Sequence, residues 1–384
     1  MNNVKKLTAV VIATSMLAAC AGCGDQSWSY KTDNVSLSAG SYIYNLLNGY
    51  YEGYDLVESP DEIKDILKAE VQGSDSDAEK KSLEQYALDV ADETTSRMIA
   101  VEALFDQYGL ELDDTEDEAA RSYASQVWTT AKKTLEGYGI GEESFNYCYA
   151  DYSVKYGQVF EYVYGEDGER TVSDDDLKKY FADNFTGYAF FSYSMSETTE
   201  DGETIAKSDE EFKKAEENFN SYADIINKSG QDYKSAVKKF IEDYEMTYDP
   251  TYSGAIENEN DNSSFDRNVI DTLKTLKEGE ATVVKTGEDA TTLYYLVYRP
   301  KASEIEDYLT NDATSSTPAT DPDGGVYIYD LKSGYTRYTL LDKMKGDDFT
   351  QFLKDTAASL NIQKNETAIK GYKVKMFVQD SDED

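Results

Sequence analysis

The feature that most constrains this chain is a change of hydrophobic period near residue 165. Before it, apolar residues recur at intervals of three and four through successive segments. Tyr42, Ile43, Leu46, Leu47, Tyr50, Tyr51 and Tyr54 form one stripe, with Ser38 as its N-cap. Leu83, Ala87, Val90, Thr94, Met98, Val101, Phe105 and Tyr108 form a second, over residues 82–108, which Gly109 ends. A third runs through Ala120, Ala124, Val127, Ala131 and Leu135, and a fourth through Phe145, Cys148, Tyr149, Tyr152, Tyr156, Val159, Phe160 and Val163. Such spacing buries one face of a helix, so residues 35–170 are predicted to be a helical domain. Ser59-Pro60-Asp61-Glu62 and Thr115-Glu116-Asp117-Glu118 are capping-box signals for further helix starts.

Beyond Gly165-Glu166-Asp167-Gly168 the pattern is mixed α/β. Ser173 caps a short helix ending at Phe185, and 188–195 reads as a strand. Helices are expected from Ser208 to about Lys228, over 233–242 and over 265–276. Two strands, 281–286 and 292–299, follow as a hairpin closed by Gly287-Glu288-Asp289-Ala290. Residues 171–300 therefore form a linker helix and a β-α-α-α-β-β module. Residues 311–325, rich in Ser, Thr, Asp, Pro and Gly, read as a disordered insertion. A helix resumes over 335–360, so 301–384 is a C-terminal segment, and the whole is α+β and mostly helical.

The first residues read as an address. Lys5 and Lys6 precede an apolar stretch from Leu7 to Leu17, too short to span a bilayer and suited to a secretory signal over 1–19. It ends in Leu17-Ala18-Ala19-Cys20, which resembles a lipobox and makes Cys20 the lipidation candidate. Cys23 is the alternative, with Cys20 standing where its Leu should be. A secreted protein with two unmodified thiols is the plain reading. Residues 20–34 read as a lipidated, flexible tether. Loss of 1–19 removes two of the 37 bases, leaving a charge of −41, so lipid rather than surface charge would hold the protein to an anionic leaflet.

Composition narrows the chemistry. The chain has 76 acids against 37 bases, a net charge of −39, which argues against nucleic-acid binding. It has no histidine, which removes Ser-His-Asp and Cys-His catalysis and imidazole metal sites, and three cysteines cannot form a Cys₄ centre. The sequence points to no cofactor and no metal. Cys148 lies in an apolar stripe and reads as core. Gly137-Tyr138-Gly139-Ile140-Gly141 follows a helix and lacks a P-loop lysine, so it reads as a plain loop. Glu257, Glu259 and Asp261, and the pair Asp321 and Asp323, lack the spacing of a Ca²⁺ loop. No feature selects a glycosidase carboxylate pair.

Several stretches in order carry a family resemblance: 97–113 (RMIAVEALFDQYGLELD), 141–149 (GEESFNYCY), 171–185 (TVSDDDLKKYFADNF), Leu276-Lys277-Glu278-Gly279-Glu280 before Val283-Val284, and 361–372 (NIQKNETAIKGY). With the lipobox they resemble the PrsA/SurA group of extracytoplasmic foldases. The resemblance implies a discontinuous chaperone domain, in which the C-terminal segment returns to the N-terminal helices, with a parvulin-like module between. Parvulin isomerases carry two histidines flanking the proline pocket. The corresponding positions here look like Ser192 and Tyr295, and the Gly-Gly-Asp-Leu run of active members is missing from 245–262. The resemblance thus implies a cleft at Phe190, Ser192 and Tyr295 without catalytic residues. The protein would be a membrane-anchored holdase or foldase acting on unfolded or newly secreted polypeptides, on the extracytoplasmic face. An active peptidyl-prolyl isomerase is the alternative. A solute-binding lipoprotein is the second, though it needs two βαβ lobes. Tyrosine outnumbers phenylalanine 33 to 14, which suits amphipathic contact surface, although tyrosine at helical spacing is mostly core.

Overall fold

A computed structural model describes residues 27–60, 63–73, 79–112, 114–259, 265–305 and 337–378. The chain divides into two compact units, residues 1–160 with 350–384, and residues 161–349. Cys20, Cys23, the acidic pair at 321 and 323 and the insertion at 311–325 lie outside the described residues.

The first unit is built on helices Ala39–Asp55, Leu83–Tyr108 and Asp114–Tyr138. Ser38 and Ser82 cap the first two, each accepting from a backbone N–H three residues on, and Gly109 ends the second in the left-handed region. The buried face of the long helix keeps Leu83, Ala87, Met98, Val101 and Phe105 of the expected stripe and has Ala91, Thr95 and Ile99 in place of Val90 and Thr94. A strict four-residue step through small side chains keeps this seam against the Ala39–Asp55 helix, where buried Asn45 donates to Thr95 Oγ1 at 3.0 Å. In the third helix Ala124 and Leu135 of the expected stripe are buried, and Trp128 rather than Val127 is buried between them.

Three expectations change here. The signal at Ser59 does not open an α-helix among the described residues. Ser59 has φ 51°, and Pro60 begins a 3₁₀ turn in which its carbonyl accepts from Ile63 N–H at 3.1 Å. Residues 61 and 62 lie outside the described residues, and a further 3₁₀ turn forms at Ile66–Lys68. The tyrosine-rich helix is not continuous, since Glu142–Asn146 passes through a π-turn, Tyr147–Asp151, into Tyr152–Tyr164. The tether reading of 20–34 fails at Trp28–Lys31, which is a strand. It pairs antiparallel with Ser36–Ser38 on one side and Gln363–Lys364 on the other. Tyr30 explains the order: it stacks on Tyr42 at 5.9 Å and donates to Asp92 at 2.6 Å. The 363–364 strand joins the opposite end of the chain to this sheet, and the Asn365 side chain donates to Trp28 O at 2.9 Å.

The second unit contains helix Asp174–Asn184 and a four-stranded antiparallel sheet. The strands, in spatial order, are Tyr252–Glu257, Phe185–Ser194, Leu293–Tyr298 and Ala281–Thr286. The β-α-α-α-β-β order therefore needs correction, because Tyr252–Glu257 is an additional edge strand between the second and third helices. A small hairpin, Ser196–Thr198 with Thr204–Ala206, was also not anticipated. Helices Asp209–Asn227, with the expected capping box at Ser208, and Tyr233–Tyr244 cover one sheet face. Helix Arg267–Thr275 covers part of the other. All strand pairs among the described residues are antiparallel, which excludes paired βαβ lobes there. The Arg337–Ser359 helix follows; its Arg337 pairs with Asp174 and its Lys343 with Glu257. No helix among the described residues is long and apolar enough to cross a membrane.

Candidate functional site

The strand Phe185–Ser194 has apolar or aromatic residues on both faces, the pattern of a strand covered from two sides. Ala189, Phe191 and Met195 point into the core beneath the two longer helices. Tyr188, Phe190 and Ser192 alternate onto the other face. There the register sets Ser192 opposite Tyr295, and Tyr295 opposite Val284. The three expected cleft residues, Phe190, Ser192 and Tyr295, are thus brought together on one sheet face.

Phe190 is the hub of that face. Its ring stacks on Tyr188 at 5.8 Å and on Tyr252 at 5.3 Å. It takes edge contacts from Phe265 at 5.0 Å and Tyr295 at 5.8 Å. Phe190 itself is buried, whereas Tyr252 is 59% exposed, so the cluster runs from core to solvent. Edge-to-face and offset arrangements of this kind exceed simple area burial by about 0.5–1.5 kcal/mol per pair. Gly254 makes the packing possible: a Cβ there would lie 2.8 Å from Tyr188 Oη and 3.0 Å from its Cζ.

The polar groups of the face are neutral hydroxyls. Burial, and after it the Asp266 carboxylate, raise the Tyr295 phenol above its usual range, against a hydrogen bond with Thr286. Tyr295 therefore stays protonated at neutral pH and can both donate and accept. Ser192 is half-buried beside it. The face can hold an extended apolar or aromatic segment and hydrogen-bond it, and it offers no imidazole for proton transfer.

Sequence reasoning missed Tyr188, Tyr252, Gly254 and Phe265. The period-two pattern Tyr252-Ser253-Gly254-Ala255-Ile256 after Asp249-Pro250 was the available signal, weakened by glycine in mid-strand. The other singled-out residues have structural places. Cys148 is buried, with its thiol 4.0 Å from Ser41 O. Gly139 adopts φ 88° where the third helix ends, and Ile140 N–H donates back to Leu135 O. Glu257 ends the edge strand against Lys343, Glu259 lies in the bend after it, and Asp261 is outside the described residues. Among the described residues no three His, Cys, Asp or Glu side chains gather as a metal site would require.

No family model and no curated protein matches the sequence. Among solved structures the chain is similar to the foldase protein PrsA from Lactococcus lactis, at 14% identity and a TM-score of 0.33, covering 92% of this chain and 100% of that one. It is likewise similar to the foldase protein PrsA from Streptococcus pneumoniae str. Canada MDR_19A, at 14% identity and a TM-score of 0.34, covering 78% of this chain and 97% of that one.

Proposed function

We propose that this protein is a lipid-anchored extracytoplasmic folding factor that holds unfolded segments of secreted polypeptides and does not catalyse prolyl isomerisation. The observation that carries the reading is the Phe190-centred aromatic face, open to solvent at Tyr252 and bordered by Ser192 and Tyr295. Rigid aromatic rings offer large contact area at low rotamer cost, and hydroxyls at the border satisfy the backbone of a bound segment. Isomerisation needs more. Its barrier is about 20 kcal/mol, and catalysis must favour the twisted amide over the planar one, at about 1.4 kcal/mol for each tenfold in rate. Two neutral hydroxyls where the resembling family has histidines favour binding without that discrimination.

The charge of −39 supports solubility and steers basic clients toward the surface, with an attraction that salt screens. Leu17-Ala18-Ala19-Cys20 supports membrane attachment through Cys20. The deciding experiment pairs an aggregation assay on a denatured client with a protease-coupled proline-peptide assay. Suppressed aggregation with an unchanged isomerisation rate is expected. No suppression at stoichiometric amounts removes the chaperone reading, and a rate enhancement lost in Tyr295→Phe establishes the isomerase instead. For the anchor, Cys20→Ala is expected to abolish lipid attachment, and lipid retained on Cys23 would reassign it.

A further inference from the structure

A pocket of about 400 Å³ lies within the first unit, between the Leu83–Tyr108 helix and the segment from Lys354 to Lys364. That volume takes a ligand of a residue or two. In a chain where acids outnumber bases two to one, this pocket reverses the balance. Arg97, Lys354 and Lys364 line it, against the single acid Glu93.

The three cations are differently engaged. Lys364 is committed: its ammonium donates to both Asp92 oxygens, at 2.7 and 3.0 Å, and lies over the Tyr30 and Tyr42 rings. Lys354 pairs with Glu93 at 3.1 Å. Arg97 has the weakest partners. Its Nη2 donates to Thr94 Oγ1 at 3.2 Å, and its Nε stands 3.9 Å from the same Glu93 oxygen, beyond hydrogen-bond reach. The Nε–H is buried with no acceptor. Arg97 and Lys354 therefore share one carboxylate between two positive charges, and the guanidinium has donors to spare. Ala357, Ala358, Leu360 and Ile362 supply a small apolar wall.

We propose that this pocket binds a carboxylate carried on a small apolar body, with the carboxylate on Arg97 and Lys354 and the apolar part on that wall. A planar guanidinium fork matches a carboxylate in two-point contact, and the Arg97 Nη groups, with Thr94 Oγ1 as their partner at 3.2 Å, keep donors to spare for it. Glu93 beside it sets the charge: one added negative balances the pair, whereas a dianion meets repulsion. The end of a polypeptide and a free small carboxylic acid both have this chemistry. The site stands independently of the Phe190-centred face, since it lies in the other unit and rests on other residues.

The test is fluorescence anisotropy on the full-length protein with a labelled peptide ending in leucine, as the free acid and as the amide. The free acid is expected to bind at least tenfold more tightly than the amide. Arg97→Gln is expected to weaken it about tenfold, Arg97→Lys less, because charge remains while the fork is lost. Lys354→Gln, at a side chain 42% exposed, serves as a second probe and is expected to leave the fold intact. N-acetyl-leucine displacing the peptide means that a small acid suffices. Its failure to displace a bound peptide means that the chain end is required, and either result upholds the carboxylate site. Equal binding of acid and amide, binding of neither at millimolar concentration, unchanged affinity in both the Arg97→Gln and Lys354→Gln variants, or displacement by inorganic phosphate as effective as by N-acetyl-leucine would overturn the proposal.

Discussion

The two faces of the four-stranded sheet share strands and register yet differ in how they are closed. Beneath the Asp209–Asn227 and Tyr233–Tyr244 helices, Phe191, Phe219, Tyr222, Tyr233, Phe240 and Tyr298 are all under 2.5% exposed. Phe191 stacks on Phe240 at 4.4 Å, and the buried Tyr222 hydroxyl donates to Asp243 at 2.8 Å. Among the described residues the opposite face has one nine-residue helix for cover, Arg267–Thr275, and its aromatic cluster continues outward to Tyr252. Alternation along one strand thus assigns Phe191 to a closed core and Phe190 to a half-open cluster. The difference between core and candidate site lies in what the helices leave uncovered.

The largest expected effect separates the faces by stability. Phe191→Ala removes a ring from the closed side, and a buried aromatic truncation costs about 3–5 kcal/mol. We expect the second unit to lose most of its cooperative unfolding transition in urea, followed by circular dichroism. A loss below 1 kcal/mol would mean that the closed face is not the unit's main core. Gly254→Ala acts on the open side and is expected to cost about 1–3 kcal/mol, because the new methyl must displace the Tyr188 ring. Full retention of stability in that variant would show that Tyr188 is free to move, and that the cluster is looser than its geometry.

How much of this was legible in the sequence follows from the same contrast. The helices over the closed face announced themselves through Ser208-Asp209-Glu210-Glu211 and a three-four apolar spacing, signals local to each segment. The strands were readable from β-branched and aromatic runs as 188–195, 281–286 and 292–299, the first beginning three residues late because Phe185 was given to the preceding helix. Strand Tyr252–Glu257 was not, because its glycine has meaning only with Tyr188 lying across it, a contact 66 residues away along the chain. Trp28–Lys31 was hidden for the same reason, being ordered by residues 363–364 from the far end. At the site, Phe190, Ser192 and Tyr295 were found through family resemblance. Tyr252 and Phe265 required the fold.

A smaller effect tests whether the closed face depends on its helix caps. Asp232 caps Tyr233–Tyr244, accepting from Ser235 N–H at 2.9 Å and from its hydroxyl at 2.6 Å. The Ser235 hydroxyl first, and its backbone N–H, hold the Asp232 carboxyl below the usual range. A carboxyl lowered in the folded state contributes stability that is present above the unfolded value, near 3.8, and is lost as pH falls through the folded one. Asp232→Ala is expected to cost about 1 kcal/mol at pH 7. Asp232→Asn should retain much of the cap while flattening the acid limb of a stability-against-pH curve. An unchanged acid limb in Asp232→Asn would place the acid sensitivity elsewhere.

The smallest effect on stability carries the most about function. Tyr252 is 59% exposed and ends the aromatic cluster, touching Phe190 at 5.3 Å on one side and water on the other. Truncating a side chain so exposed forfeits one ring pair at the rim of the cluster and leaves the rest of the fold's contacts in place, a cost at the low end of such pairs, about 0.5 kcal/mol. Were the cluster merely core, Tyr252→Ala would change little of anything. As the open end of a binding face, it offers an aromatic ring to incoming segments, and ring contacts of this kind exceed area burial by about 0.5–1.5 kcal/mol. Loss of one such contact corresponds to a two- to tenfold weaker hold on an unfolded client. The expected result is therefore an unfolding midpoint within experimental scatter of the parent, together with a clear rise in the amount of protein needed to suppress aggregation. Equal suppression by parent and Tyr252→Ala would move the client surface away from this face of the sheet and leave the cluster as core alone.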